Sequence, residues 1–433
     1  MSISKPSPSI LILGAGCFGL ATAHHLASRG YSDITVLDKD SKVPSRFSAA
    51  NDLNKVIRAE YADPFYTDLA LEAIRKWQID PLYSPHYHET GFLNVTSNAA
   101  PRVTRDVVEK YFSSVQSHPG FKGQVRRVNG HAEIKDLVPG FTGPVEGWSG
   151  YYNKLAGYAH SANTLEAVYK ACLALGVKFQ LGESDGEVES LLYASSLRNG
   201  TTCIGARTKG GNVHIADKTI LALGASAPTL IPSLGKQMTG RCWGVAHIQL
   251  MPEEARSLRG IPVTNVRDLA FFFEPDHETN KLKFCHMGGA FTNFAGGPKT
   301  ESGLSLPFPS ISESAFIPAD DERYIRQLLR EVLPGLAGRP LIDAHLCWIA
   351  DTDDSDYIVD FVPGTGESLV VLSGDSGHGF KMMPIFGGFV ETLLKEGRQT
   401  QGKWQWKRSK SSVRAAWRSG ESQELASVVR AKL

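Results

Sequence analysis

Three glycines and one aspartate near the N-terminus have the residue types and spacing that bind a dinucleotide. Gly14, Gly16 and Gly19 follow four apolar residues, and Asp38 comes about 20 residues later. The first glycine permits a tight turn, the second lets a pyrophosphate approach the backbone, and the third lets a helix pack closely on a strand. The aspartate accepts hydrogen bonds from ribose hydroxyls. These residues predict a dinucleotide-binding turn.

The turn needs a strand before it and a helix after it. The apolar run from Ile10 to Leu13 predicts the strand, and Leu20, Ala23 and Leu26 predict one face of the helix, with Gly30 as its C-terminal stop. The apolar residues 34–37 predict a second strand that ends at the aspartate. The helix N-terminus then faces the phosphates.

Later segments repeat this alternation of helices and strands. The pattern predicts short strands and turns over 85–150. We expect the segment after 397 to form a tail that wraps the body. The sequence contains no internal repeat. Helices are predicted at 66–78, 161–175, 319–333 and 384–396. Strands are predicted at 188–193, 203–208, 213–215, 219–225, 245–250, 269–273, 282–285 and 369–373.

The fold class predicted is α/β, with a Rossmann-type domain interrupted by a sheet-rich α+β domain. The apolar strands at 219–225 and 369–373 are expected to return to the first sheet, beside the glycine turn. The predicted ranges are 1–85, 151–228 and 340–398 for the nucleotide domain, 86–150 and 229–339 for the substrate domain, and 399–433 for a basic C-terminal tail.

Composition excludes several classes of protein. The chain has 433 residues, is 42% hydrophobic and carries a net charge of +1, so nothing global suggests a nucleic-acid partner. No apolar run approaches the roughly 18 residues of a membrane span. Six cysteines show neither a CxxC pair nor zinc spacing, which favours a reduced intracellular setting. No histidine cluster is judged to support a metal, and no metal site is predicted.

The last three residues favour a particular location. Ala431, Lys432 and Leu433 differ by one small residue from the peroxisomal Ser-Lys-Leu signal. We expect recognition by the peroxisomal import receptor, with a cytoplasmic protein as the alternative. We expect a monomer, although the sequence itself leaves the oligomeric state open.

Four further segments carry a resemblance to a known family. They are 48–64, 281–285, 346–352 and 374–381. Together with the glycine turn, they resemble the FAD-dependent amine oxidases of the sarcosine oxidase, saccharopine/pipecolate oxidase and fructosyl amino acid oxidase group. The resemblance implies a D-amino-acid-oxidase-like fold, with FAD in the Rossmann-type domain.

The resemblance also implies roles for five side chains. Lys55 lies close to the flavin, and Arg58 and Lys381 bind the substrate carboxylate, for which a planar guanidinium is well suited. Lys283 lies near flavin N5 and assists oxygen reduction, because a fixed cation stabilises negative charge on O2. Cys347 bonds covalently to the 8α carbon. Taken without the family, the same residues are typical of a surface salt bridge, a solvated lysine and an inert buried thiol.

The cofactor contacts implied by the turn and the family are more numerous. They are Gly14, Gly16, Cys17, Phe18, Gly19, Asp38, Lys39, Ser48, Asn51, Lys55, Gly224, Ala225, Cys347, Gly374, Gly377, His378, Gly379 and Lys381. One departure from the pattern is Ile349, where many fructosyl amino acid oxidases have a second cysteine.

The expected reaction is oxidation of the C–N bond of a secondary amine by O2. The product is an imine, which is hydrolysed or cyclised, together with hydrogen peroxide. Arg58 and Lys381 favour an N-methyl or N-alkyl amino acid, whereas the Asn51-Asp52 pattern favours a fructosyl amino acid. Other classes considered are an NAD-dependent dehydrogenase and a catalytically degenerate flavin-binding protein.

Overall fold

A six-stranded sheet forms the nucleotide-binding part of the protein. The structure is a computed structural model, and it describes residues 7–196, 200–294, 303–407 and 421–429. The strand order in this sheet is Ile358–Phe361, Leu369–Ser373, Lys218–Leu221, Ile10–Leu13, Ile34–Asp38 and Lys178–Leu181. All pairs are parallel except the first. The prediction that the strands near 219 and 369 return beside the first strand is confirmed.

The first strand is apolar throughout because both of its faces are covered. Ile10 and Ile12 pack under the helices Cys17–Ser28, Ser161–Ala174 and Met383–Glu396. Leu11 and Leu13 point to the other face, against a small three-stranded sheet. That sheet has the antiparallel strands Val188–Ser196, Gly200–Thr208 and Val213–Ile215.

A larger, mostly antiparallel sheet forms the second layer of the protein. Its order is Gln423–Glu424, Phe291–Thr292, Thr239–Gln249, Lys281–Cys285, Ala270–Phe272, Val263–Val266, Phe92–Thr96, Ser149–Asn153 and Val125–Asn129, and Ile342–Asp351 also pairs with Thr239–Gln249. Lys55–Ile57, Gly157–Ala159 and Tyr87–His88 form another small sheet. The larger sheet includes 149–153, which crosses the predicted domain boundary at 151, and 342–351, which lies within the range predicted for the nucleotide domain.

Helices and short 3₁₀ turns connect the strands. The remaining helices are Pro64–Ile79, Arg102–Gln116, Gly130–Leu137, Pro252–Ser257, Ala319–Val332 and Leu425–Val429. The 3₁₀ turns are Ser84–His86, Pro119–Phe121, Gly224–Thr229, Pro232–Lys236, Ser312–Ser314, Pro334–Leu336, Phe380–Met382 and Gly402–Trp404. No helix within the described ranges is long and apolar enough to cross a membrane.

The prediction of only strands and turns over 85–150 was wrong at 102–116. That segment is an amphipathic helix whose buried residues, Val108, Tyr111, Phe112 and Val115, recur at spacings of three and four. The helical period was present in the sequence. The period was missed because the segment contains many polar residues.

The tail after residue 397 packs on the body where the structure describes it. Trp404 is buried, and its indole N–H donates a hydrogen bond of 3.0 Å to the hydroxyl of Tyr66. The C-terminal Ala431, Lys432 and Leu433 lie outside the described residues, as does the basic stretch 408–420.

Candidate active site

The glycine turn is closed so tightly that a side chain does not fit at two of its positions. Gly14 has φ +108°, and a Cβ there would lie 2.5 Å from the carbonyl oxygen of Ala222 on the neighbouring strand. A Cβ on Gly19 would lie 1.9 Å from the carbonyl oxygen of Gly14. Gly16 is more open, with Ser48 Oγ at 3.4 Å. The turn therefore brings the helix N-terminus directly against the end of the first strand.

Asp38 lies at the end of the second strand and faces the same turn. Its carboxylate accepts hydrogen bonds from the backbone N–H groups of Ala15, at 2.8 Å, and Asp40, at 2.9 Å. Burial raises the pKa of Asp38. The ammonium group of the next residue, Lys39, lies 3.6 Å from the ring centre of Phe47. These contacts fix the carboxylate beside the glycines.

One cavity of about 530 Å³ runs past this turn and past all four of the family-like segments. The predicted residues in its lining are Gly14, Gly16, Cys17, Phe18, Asp38, Lys39, Ser48, Lys55, Arg58, Gly224, Ala225, Lys283, Cys347, Gly377, His378, Gly379 and Lys381. The fold thus brings together residues that are separated by more than 300 positions in the chain.

Three predicted cofactor residues lie outside that lining. Gly19 is pressed under Gly14, as described above. The side chain of Asn51 donates a hydrogen bond of 3.3 Å to the carbonyl of Pro44. Gly374 has φ +71° in the turn after its strand, and a Cβ there would lie 2.9 Å from the carbonyl of Asp356. The structure places these three residues in the support of the cavity rather than on its surface.

Two lysines share one buried carboxylate at the wall of the cavity. Lys283 Nζ lies 2.5 Å from Asp52 Oδ2 and 2.6 Å from the carbonyl oxygen of Asn54. Lys55 Nζ lies 2.7 Å from the same Asp52 oxygen. The side chains of Lys283 and Asp52 are 1% and 2% exposed, so the pair is removed from water. We name Asp52, Lys55 and Lys283 the two-lysine cluster.

Charge determines the protonation of this cluster. Burial alone would raise the pKa of Asp52, but Lys283 and Lys55 hold it well below its usual range. Burial would lower the pKa of Lys55, but Asp52 and the thiol of Cys347 raise it above its usual value. Burial lowers the pKa of Lys283, and Asp52 limits that decrease. Asp52 is therefore an anion between two cations.

Cys347 lies next to this cluster, in the middle of the strand Ile342–Asp351. Its sulfur is 3.6 Å from Lys55 Nζ and 3.8 Å from the carbonyl oxygen of Ala49. The residue is partly exposed, and it lines the cavity. The sulfur is therefore accessible to a ligand bound in the cavity.

Arg58 and Lys381 lie around one aromatic ring. The Arg58 guanidinium carbon is 5.6 Å from the centre of the Tyr61 ring, and Lys381 Nζ is 5.4 Å from it. Arg58 also donates a hydrogen bond to the backbone carbonyl of Glu60. Burial and the Arg58 charge lower the pKa of Lys381 well below its usual value. An anion entering here would meet the Arg58 guanidinium and the Lys381 amino group, and its charge would favour protonation of Lys381.

His378 is a buried part of the loop beside these cations. Its Nε2–H donates a hydrogen bond of 2.8 Å to the carbonyl of Ser355, and its Nδ1 accepts one of 2.9 Å from the hydroxyl of Tyr357. Burial, with the Lys381 charge, lowers the pKa of His378 to about 3. The imidazole is therefore neutral, and its ring is fixed.

The match to known proteins extends over nearly the same range as the cavity residues. Residues 9–391 match the family described as FAD dependent oxidoreductase. The chain belongs to this family. Its fold class and its place among flavin oxidoreductases, both expected from the sequence, are confirmed.

Relatives within the family have related activities. The chain of this oxidoreductase is 31% identical to L-saccharopine oxidase from Schizosaccharomyces pombe, over 95% of this chain and 96% of that protein. It is 22% identical to monomeric sarcosine oxidase from Streptomyces avermitilis, over 91% and 95%. The crystal structure of fructosamine oxidase (amadoriase II) from Aspergillus fumigatus matches with a TM-score of 0.86 and 33% identity, over 98% and 97%. That of fructosyl peptide oxidase from E. terrenum matches with a TM-score of 0.88 and 31% identity, over 99% and 98%.

The residues of this oxidoreductase fit FAD. The open position at Gly16 lets a pyrophosphate approach the helix N-terminus, and Asp38 is held beside it for a ribose. Further along the same cavity, Lys55, Lys283 and Cys347 would surround the reactive ring.

Sequence reasoning missed two acidic residues of the site. Asp52 was considered only as part of a substrate pattern, and the structure makes it the shared partner of two lysines. Glu60 is fully buried next to Arg58, and one of its oxygens accepts a hydrogen bond of 2.9 Å from Asn153. Asp52 had a local signal, because it precedes Lys55 by three residues. The only sequence signal for Glu60 was its position two residues after Arg58.

Proposed function

We propose that this flavoenzyme oxidises the C–N bond of a secondary amine, most directly an N-methyl or N-alkyl amino acid, and produces an imine and hydrogen peroxide. The observation that carries the proposal is the position of Arg58 and Lys381, which both line the cavity that holds the glycine turn. Lys381 is buried, and the Arg58 side chain is only 19% exposed. The Arg58 guanidinium and the neighbouring Lys381 amino group favour an anionic ligand, whose charge would in turn favour the protonated form of Lys381. An amino-acid carboxylate has the required charge and size.

The substrate carboxylate binds between Arg58 and Lys381. Guanidinium groups form two parallel hydrogen bonds with a carboxylate, which fixes its orientation as well as its place. Glu60 competes for the same cations, since its carboxylate is 4.0 Å from Arg58. The substrate carboxylate therefore replaces an internal partner of Arg58, and the Tyr61 ring supports both cations.

FAD, when bound, takes up a hydride equivalent from the amine and passes two electrons to O2. The protein's part is to orient the substrate and to fix the electrostatic field. Lys283, held by Asp52 and the carbonyl of Asn54, keeps its ammonium group fixed at the cavity wall. A cation in that dry position stabilises the negative charge that develops on O2. The imine leaves to be hydrolysed, or it is trapped by a nucleophile of the substrate in a ring closure.

We further propose that Cys347 forms the covalent 8α link to FAD. Its sulfur faces the cavity, 3.6 Å from the ammonium group of Lys55. Acid precipitation tests this link, because covalently bound flavin stays with the pellet. Colour wholly released from the wild type would rule the link out, and Cys347→Ala is expected to release its flavin.

Fructosyl amino acids are the second candidate substrates. The likeness to fructosamine oxidase and fructosyl peptide oxidase structures favours them. Against them, Asp52 is engaged by two lysines and has little capacity left for sugar hydroxyls. This contrast places N-alkyl amino acids first.

Peroxide release across a substrate panel tests the function. The panel contains sarcosine, N-methyl aromatic amino acids, pipecolate, saccharopine and fructosyl-valine. We expect peroxide with an N-alkyl amino acid and a loss of about 10- to 100-fold in kcat/KM for Arg58→Met, because a charged hydrogen bond contributes about 1.5–3 kcal/mol. Arg127→Met, which removes an exposed pair with Glu109, is the matched control and should leave kcat/KM unchanged.

The panel also separates the alternatives. Faster release from fructosyl-valine would make the enzyme a fructosyl amino acid oxidase. A yellow protein that releases no peroxide with any member would indicate a degenerate flavin-binding protein.

The C-terminal Ala431, Lys432 and Leu433 support a peroxisomal location for a peroxide-producing enzyme. We propose recognition by the import receptor. A fluorescent fusion at the N-terminus should reach peroxisomes, and deletion of these three residues should leave it in the cytoplasm.

A further inference from the structure

Two histidines and a glutamate meet at the outer side of the active-site wall. His88, Glu274 and His277 each place a ligand atom within 4.8 Å of the other two. The closest separation given by their contacts is 3.6 Å, between His277 Nε2 and a Glu274 oxygen. His88 is half-buried, Glu274 is buried and His277 is exposed. None of the three residues has a part in the proposed oxidation.

The carboxylate of this cluster is held as metal-binding carboxylates are. Glu274 Oε1 accepts a hydrogen bond of 2.8 Å from the hydroxyl of Tyr158, and Oε2 accepts one of 2.6 Å from the backbone N–H of Gly260. Each oxygen keeps a further lone pair for a cation. Hydrogen-bond partners of this kind orient the side chains that bind a metal and increase metal affinity.

The imidazoles are also positioned by their neighbours. The His88 ring stacks on the Tyr158 ring with a centroid distance of 4.7 Å and an angle of 7°. The His88 and His277 rings are 5.4 Å apart. A tetrahedral ion with bonds of about 2.1 Å needs its ligand atoms roughly 3.4 Å apart. Ligand atoms that are up to 4.8 Å apart would have to approach by up to about 1.4 Å. The His277 side chain is 52% exposed and is therefore the ligand best able to move.

From these contacts we propose a binding site for a divalent transition metal, with Zn²⁺ as the best fit, formed by His88, Glu274 and His277. Two imidazoles and one carboxylate suit Zn²⁺ in charge and softness, and they leave one position for water. The site is absent from sequence motifs because His88 lies far along the chain from the other two ligands.

The location gives the metal a structural effect. His88 belongs to the small sheet with Lys55–Ile57, whereas Glu274 follows the strand Ala270–Phe272 of the larger sheet. Phe273, adjacent to Glu274, lines the active-site cavity, and its ring lies 5.1 Å from Lys283 Nζ. Zn²⁺ would join the two sheets directly behind that wall and stabilise the folded state.

Titration calorimetry of the holoenzyme with ZnCl2, after EDTA treatment and dialysis, tests the site. We expect one Zn²⁺ per chain in the wild type and a rise in melting temperature with added Zn²⁺, since binding to the folded state alone stabilises it. His277→Gln and His88→Gln should each weaken Zn²⁺ binding at least about 10-fold, because changes to residues that only support a metal ligand already weaken binding by about 10- to 100-fold.

A variant of another histidine serves as the control. His131→Gln changes another exposed histidine, whose ring contacts the carbonyl of Pro144, and should bind Zn²⁺ as the wild type does. Absence of binding in the wild type overturns the proposal. So does unchanged affinity in both His277→Gln and His88→Gln, which would place the ion elsewhere, for example at Cys347.

Discussion

The two halves of the cavity are built by different forces. At the glycine turn, the requirement is the absence of side chains, because a Cβ on Gly19 would lie only 1.9 Å from the carbonyl oxygen of Gly14. At the two-lysine cluster, the requirement is the presence of opposite charges, with Asp52 between Lys55 and Lys283. The first half is specified by shape, whereas the second is specified by electrostatics in a region removed from water.

The difference has a consequence for tolerance to mutation. A steric requirement is violated by adding atoms, and its cost depends on whether the neighbours can move. A buried charge cluster is violated by removing one partner, which leaves the others without compensation. The second change is the more costly one, although it removes almost no volume.

The largest effect is expected for Asp52→Asn. This change keeps the side-chain shape and leaves two ammonium groups without their counter-ion, so the free energy of unfolding should decrease by about 3–5 kcal/mol. Urea denaturation of the holoenzyme measures it. The control is Asp33→Asn, since Asp33 pairs with Lys178 at 3.1 Å on the surface and should contribute no more than about 1 kcal/mol. Equal stabilities of the two variants would contradict the central role of Asp52.

Lys283→Met should be the next largest effect, and it appears in kinetics. Removing one preorganised cation or donor at a developing negative charge slows a step by about 100- to 1000-fold. The measurement is the rate at which O2 reoxidises the chemically reduced holoenzyme in stopped flow. Lys281→Met, on the same strand, removes a lysine that pairs with the exposed Asp343 and should reoxidise normally. A normal rate in Lys283→Met would exclude the oxygen-activating role.

The two halves also differ in how far the sequence predicts them. Gly14, Gly19 and Asp38 were predictable because the turn is local, and each residue has a steric or hydrogen-bonding task within one β-α-β unit. The two-lysine cluster was not, since Asp52, in the loop before the strand Lys55–Ile57, and Lys283 are 231 positions apart and meet only in the folded protein. The family resemblance predicted that Lys283 matters. It did not predict which carboxylate holds it.

Gly19→Ala tests the steric half of the comparison. The new Cβ would meet the Gly14 carbonyl, so overpacking should cost about 1–3 kcal/mol and lower the FAD content of the purified protein. Gly388→Ala is a matched control, because it also changes a helical glycine but has His25 Cε1 no nearer than 3.7 Å. If both variants retain FAD equally, the close approach at Gly19 is not what builds the turn.

The last effect is the pH dependence contributed by His378, which lies in the electrostatic half. Its pKa is lowered from 6.5 to about 3 by burial, so the unfolded chain binds a proton between those values and the folded protein does not. Stability should therefore decrease as the pH falls through this range, by about 1.4 kcal/mol per pH unit for this one group. His378→Asn should remove that part of the slope.

Burial also lowers the pKa of His247, to about 4, and this contribution should remain in the variant. Asp52 contributes only below pH 3.8, because its folded pKa is depressed and its stabilising charge is lost only as the pH falls past its unfolded value. Burial raises the pKa of Asp375 to about 6, so Asp375 also titrates in this range, in both proteins. The contribution of His378 is therefore the difference between the wild-type and His378→Asn slopes of urea stability from about pH 6.5 to about pH 4.5. An unchanged slope in His378→Asn would show that another group is responsible.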